Sequence, residues 1–106
     1  MTTSRPPDLP AVDIPVGEGR VVVAGGREVA VFRLRDGSLR ALDARCPHQG
    51  GPLADGLCDQ ATVMCPLHSR SFDFATGVEK SGDYAVGVWL VDVDEHGMVQ
   101  VRDRVG

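Results

Sequence analysis

Two of the three cysteines stand beside a histidine, in Cys46-Pro47-His48 and in Cys65-Pro66-Leu67-His68. The pattern is Cys-x-His, sixteen intervening residues, then Cys-x-x-His. Each pair joins a soft thiolate to an imidazole, a combination suited to soft and borderline transition metals. Prolines and glycines interrupt or follow both pairs, and such residues hold a chain in tight irregular turns with its amides exposed. Four ligands on two loops can close around one inorganic centre.

Two centres compete for this donor set. A structural zinc finger groups like with like, two cysteines on one turn and two histidines on a helix, and this chain has neither a C-x2-4-C nor an H-x3-5-H element. In one kind of [2Fe–2S] centre both thiolates bind one iron and both imidazoles the other, so two similar loops each give one ligand to each iron. The mixed pairing favours iron–sulfur. A zinc-stabilised binding module without a redox role stands as the alternative of another class. Cys58 lies outside both pairs and reads as an incidental thiol, with redox sensing the remoter option. His96, in Asp94-Glu95-His96-Gly97, reads as an exposed turn residue.

The elements that must position these loops are strands. Residues 20–24 (RVVVA), 28–34 (EVAVFRL) and 39–43 (LRALD) are separated by Gly25-Gly26-Arg27 and Arg35-Asp36-Gly37-Ser38, which predicts a three-stranded antiparallel meander. Residues 86–93 and 98–102 predict a hairpin closed by Asp94–Gly97, and 62–65 with 70–74 and the Ala75-Thr76-Gly77 turn predict another. A first strand is expected near Ala11 to Ile14, after a flexible proline-bearing tail over residues 1–10. Trp89 alternates with Val91 and Val93, so it is expected in the core or an interface. No segment keeps a 3.6-residue apolar period over three turns, and an all-β sandwich or small barrel follows. Residues 44–58, with two prolines and three glycines, break the strand rhythm and read as loop.

With 106 residues and 11.3 kDa the chain has room for one domain, here 11–106. A hydrophobic share of 42% and charged share of 25% are those of a globular protein, and a net charge of −4 argues against a nucleic-acid partner. Residues 1–45 carry seven basic and six acidic side chains and residues 46–106 four and nine, which reads as a solvated acidic face. There is no apolar signal segment and no stretch near the ~20 apolar residues of a membrane span, so a cytoplasmic protein without membrane contact is expected. There cysteines more often bind metal than form disulfides. Nothing resembles a nucleotide-binding loop or a catalytic acid–base pair, so a stand-alone enzyme is not expected.

CPHQGGPLADG followed by CPLHSRSFDFATG resembles the two centre-binding loops of the Rieske iron–sulfur proteins in ligand identity, spacing and the following F-D-x-x-T-G turn. The resemblance covers nearly the whole chain. It implies a Rieske-type antiparallel β-sandwich with a cluster-binding subdomain of two loops, within about residues 44–76. It also implies one [2Fe–2S] cluster with Cys46, His48, Cys65 and His68 as its metal ligands, and one-electron transfer with no catalytic residue. By charge counting, two ferric ions, two sulfides and two thiolates cancel, so with neutral imidazoles the oxidised centre is neutral, and this makes reduction easier than in an all-cysteine centre. The resemblance places His48 and His68 on the outer iron near the surface, where a partner approaches and where imidazole protonation can be linked to redox state.

Rieske proteins of respiratory cytochrome complexes carry an extra cysteine in each loop and two hydroxyl donors after the second histidine. The matching positions here are Gly51, Leu67, Arg70 and Phe72. Without hydroxyls to stabilise the reduced state, the potential is expected toward the low end, roughly −150 mV, and Arg70→Ser with Phe72→Tyr is expected to raise it. Family members usually shield the centre with a proline-containing third loop. Val78 to Tyr84 contains no proline, so a more mobile loop, or one completed by a partner, is expected. Asp73 is expected either to orient amides near the second loop or to cap its own turn. Within the family the chain resembles the small subunit of assimilatory NAD(P)H-dependent nitrite reductase, whose partner would be the large reductase subunit. It also resembles the ferredoxin component of ring-hydroxylating dioxygenases, whose partners would be a flavin reductase and a terminal oxygenase.

Overall fold

Strand β2 (Arg27–Arg33) carries four successive apolar residues, Val29-Ala30-Val31-Phe32, all buried. Side chains alternate across a strand, so such a run needs apolar cover on both faces. Val29 and Val31 join one apolar core with Ile14, Trp89 and Val99, while Ala30 and Phe32 join a second with Leu53, Val63, Cys65, Phe72 and Phe74. The computed structural model describes residues 9–45, 52–66, 70–80, 82 and 84–105.

Around β2 lie β1 (Gly19–Ala24), β3 (Leu39–Asp43), β7 (Val88–Val93) and β8 (Val99–Val105), forming one antiparallel sheet in the order β1-β2-β3-β7-β8. A smaller sheet contains β4 (Leu57–Cys58), β5 (Thr62–Met64) and β6 (Ser71–Asp73), in that order. The meander and the closing hairpin are therefore present as expected. Gly25 and Gly26, at φ 58° and 78°, form the two-residue turn between β1 and β2, where both positions require the left-handed region. The second core lies between the sheets, with the Phe32 and Phe74 rings tilted at 5.1 Å. Among the described residues no helix is long and apolar enough to cross a membrane.

Two expectations need correction. Ala11–Asp13 is a turn of 3₁₀ helix, not a strand. Asp13 N–H donates to Pro10 O and Ile14 N–H to Ala11 O, i to i+3 bonds that leave Ile14 as a fully buried plug under the larger sheet. Of the expected tail, residues 1–8 lie outside the described residues, while Pro10 bridges Met98 and Val99 N–H donates to Leu9 O. The 44–58 stretch is not loop throughout. Leu53–Asp55 forms a second 3₁₀ turn that buries Leu53 and Ala54, and Leu57–Cys58 adds the edge strand of the small sheet.

Candidate metal centre

Each proposed loop leaves the scaffold from a pinned pair of residues. Before and after residues 46–51, Arg45 and Pro52 form an antiparallel bridge, and Leu53 N–H donates to Ala44 O at 2.9 Å. On either side of residues 66–69, the β5–β6 ladder runs through Met64 and Ser71 and closes with Cys65 N–H donating to Arg70 O at 2.7 Å. Ala44, Leu53 and Cys65 all belong to the apolar core between the sheets, so both loop bases rest on the same packed floor. Gly56 ties them closer. A Cβ at this position would run into the Met64 carbonyl oxygen, so the chain after the first loop lies directly against the residue preceding Cys65.

Of the four predicted ligands, Cys65 is placed and Cys46, His48 and His68 lie outside the described residues. Gly51 and Leu67 lie outside them too. Among the described residues no group of three or more His, Cys, Asp or Glu side chains is arranged to hold a metal ion. Cys65 follows the last residue of β5 and is 1% exposed among apolar side chains. A thiolate is costly in such surroundings unless a cation offsets its charge, so Cys65 can serve as a donor only with a metal's charge beside it. Cys58 differs. It sits half-buried on β4, and burial, with the neighbouring Asp59 charge, pushes its thiol pKa up, which favours an inert protonated thiol.

The described residues after β6 bond back to the scaffold, while residues 81 and 83 of the expected proline-free loop lie outside the described residues. Asp73 Oδ1 accepts the N–H groups of Ala75 and Thr76 at 2.7 and 3.1 Å, which is turn capping. Glu79 bridges Phe72, Lys80 N–H donates to Ser71 O, and Glu79 N–H donates to Tyr84 O. The Glu79 carboxylate is buried and lies 3.4 Å from Arg70 Nη1, while the Arg70 guanidinium carbon sits 4.7 Å over the Tyr84 ring. Phe72, beside Arg70 in the resemblance to hydroxyl-bearing relatives, is fully buried in the core that also holds Cys65. Sequence reasoning missed Glu79, because VEKSGDY has the composition of an exposed polar turn and only the tertiary fold brings Arg70 to it. Trp89 is buried and donates Nε1–H to Asp43 Oδ1, and His96 is an exposed turn residue.

Two antiparallel sheets over a common core, with two paired loop bases on one packed floor, define an antiparallel β protein that presents two neighbouring loops. The Rieske [2Fe-2S] domain family matches residues 5–88, and the chain belongs to that family. Its cofactor is accordingly a Rieske-type [2Fe–2S] cluster. The ferredoxin component of the naphthalene 1,2-dioxygenase/salicylate 5-hydroxylase systems of Ralstonia sp is 35% identical over 65 residues, which is 61% of this chain and 62% of that protein. A protein described as the NADH-dependent nitrite reductase small subunit of Mycobacterium tuberculosis superposes with TM-score 0.82 at 28% identity, over 92% of this chain and 93% of that one. A chain from the complex of oxygenase and ferredoxin in carbazole 1,9a-dioxygenase superposes with TM-score 0.76 at 32% identity, over 89% of this chain and 97% of that one.

Proposed function

We propose that Cys46, His48, Cys65 and His68 hold the [2Fe–2S] centre, both thiolates on one iron and both imidazoles on the other, and that the chain is the small subunit of an assimilatory NAD(P)H-dependent nitrite reductase. When bound, the centre supplies one reversible electron. The protein's own residues pin the two loops at Arg45–Pro52 and Cys65–Arg70, bury the Cys65 side chain from water, and carry no hydroxyl at positions 70 and 72. Direct partners are then the large reductase subunit and, through it, the nicotinamide reductant, in the cytoplasm where thiols stay reduced. The observation that carries this reading is the end-to-end agreement of fold with the Mycobacterium tuberculosis protein.

A second reading, the ferredoxin component of a ring-hydroxylating dioxygenase, is favoured by the higher sequence identity to the Ralstonia and carbazole-system proteins. Reconstitution separates them. The reduced protein is mixed either with a sirohaem nitrite reductase large subunit, following nitrite loss, or with a flavin reductase and terminal oxygenase, following oxygen uptake coupled to product. Stimulation of nitrite loss alone supports the first reading, and stimulation of the oxygenase alone replaces it with the second. For the ligand set, brown protein with iron, acid-labile sulfide and a rhombic EPR signal on reduction is expected. Colourless protein with one equivalent of zinc would overturn it.

A further inference from the structure

Arg70 and Glu79 form the ion pair nearest in sequence to the second loop, and its geometry is unlike that of the surface pairs. Glu79 is the buried charged residue among those described, with its side chain 6% exposed, and Arg70 is 27% exposed. The pairs Arg45–Glu28 and Arg102–Asp92 lie in the open by comparison. Burial makes the Arg70–Glu79 charges poorly screened, so losing one partner leaves the other's field acting through protein and not through water. Arg70 is also fixed from three directions. Its carbonyl accepts Cys65 N–H, its guanidinium meets Glu79 at 3.4 Å, and the same group covers the Tyr84 ring at 4.7 Å. Glu79 in turn is held by its bridge to Phe72 and its bond to Tyr84 O. Glu79 and Tyr84 are thereby joined to the base of the second loop by charge and ring contact as well as by backbone.

We propose that Arg70 and Glu79 are positioning residues that brace the second loop and keep the charge beside the [2Fe–2S] centre balanced, an inference that rests on Cys65 and His68 being ligands. A centre that gains one negative charge on reduction is sensitive to the sign of any uncompensated charge nearby. Removing the carboxylate leaves a guanidinium, which cannot lose its proton and so stabilises the reduced state. Removing the guanidinium leaves a carboxylate, which opposes reduction. A purely structural brace has no reason to make these two changes act in opposite directions.

The test compares midpoint potentials by EPR-monitored titration of the wild-type protein, Glu79→Gln and Arg70→Met, together with iron bound per chain. The expected result is a midpoint above wild type in Glu79→Gln and below it in Arg70→Met, with the double variant between them and reduced iron retention in both single variants. Glu79→Gln is nearly isosteric, and if Arg70→Met does not fold, its direction alone decides. A midpoint in Glu79→Gln that is unmoved or lowered overturns the proposal. Wild-type protein that carries no iron or labile sulfide overturns the ligand reading itself. Wild-type protein that carries the centre while the potentials stay unmoved overturns only the role of this pair.

Discussion

Asp43 and Arg104, 61 residues apart, meet in a two-pronged ion pair, Arg104 Nη2 donating to Oδ2 at 2.8 Å and Nε to Oδ1 at 3.1 Å. The same carboxylate accepts Trp89 Nε1–H at 2.9 Å and Gly87 N–H at 2.8 Å. One side chain at the end of β3 thus fastens β7 and β8, and it does so two residues ahead of the Arg45 base of the first loop. A Cβ at Gly87 would meet the Arg104 guanidinium, so a side chain there would displace the fork. Asp43→Asn keeps one acceptor oxygen but ends the charge-assisted fork, so unfolding free energy is expected to fall by about 1–2 kcal/mol, a value held down by partial exposure of the pair. Urea unfolding of the two proteins measures it.

The same carboxylate makes stability depend on acid. Partial burial pushes the Asp43 pKa up, but the bonds from Arg104, Trp89 and Gly87 and the Arg104 charge more than reverse this, lowering it from the ordinary 3.8 to about 2. A group whose pKa is depressed by folding stabilises the folded state above its unfolded pKa, and that contribution fades as pH falls through the folded value. The stability gap between wild type and Asp43→Asn is therefore expected to be constant above about pH 5 and to close between about pH 4 and pH 2. A gap that persists unchanged at pH 2 would assign the difference to packing.

Gly56 offers a test of how the two loop bases are coupled. A methyl group there meets the Met64 carbonyl oxygen, which is backbone and cannot swing aside as a flexible side chain could. Gly56→Ala must displace β5 at its end, and Cys65 follows immediately. The expected outcome is a loss of about 1–3 kcal/mol, as for other overpacked sites, together with less iron bound per chain. Unfolding and iron assays read the two effects separately.

The β scaffold was legible because its signals are local. The β-branched apolar run in EVAVFRL, the Gly25-Gly26 turn and the Asp94–Gly97 turn each specify their element within a few residues. The candidate donors are named from residue types at a given spacing, and of these Cys65 alone lies among the described residues. What escaped depends on the assembled fold. Nothing in AVD or LAD marks a 3₁₀ turn until Ile14 and Leu53 have a core to fill, and nothing in VEKSGDY marks Glu79 as buried until β6 carries Arg70 alongside. A two-residue strand such as Leu57–Cys58 has no periodicity to detect, and it exists because β5 offers an edge.

The cysteines separate cleanly by environment. Cys65→Ser removes a buried sulfur at the base of the second loop, whereas Cys58→Ser changes a half-buried thiol on an edge strand. On the proposed ligand set, Cys65→Ser is expected to abolish the rhombic EPR signal and the labile sulfide, and Cys58→Ser to leave both as in wild type. Loss of the centre in Cys58→Ser at unchanged fold, judged by far-ultraviolet circular dichroism, would move Cys58 into the donor set.

Phe72→Tyr tests how the protein sets its potential. Phe72 faces Val63 across the ladder and is fully buried in the core shared with Cys65. A phenolic O–H placed there costs about 1–3 kcal/mol if it finds no acceptor, so the gain of a sulfur acceptor at the centre is its natural outlet. A donor of that kind favours the more negative reduced state, and the midpoint potential is expected to rise. The single substitution is preferable to the pair that includes Arg70→Ser, because Arg70 is engaged with Glu79 and its removal changes the local charge in the opposing direction. Protein-film voltammetry decides. A raised midpoint with the EPR line shape retained supports hydroxyl control at position 72, while an unchanged midpoint in a folded, iron-loaded protein shows that this ring does not reach the centre.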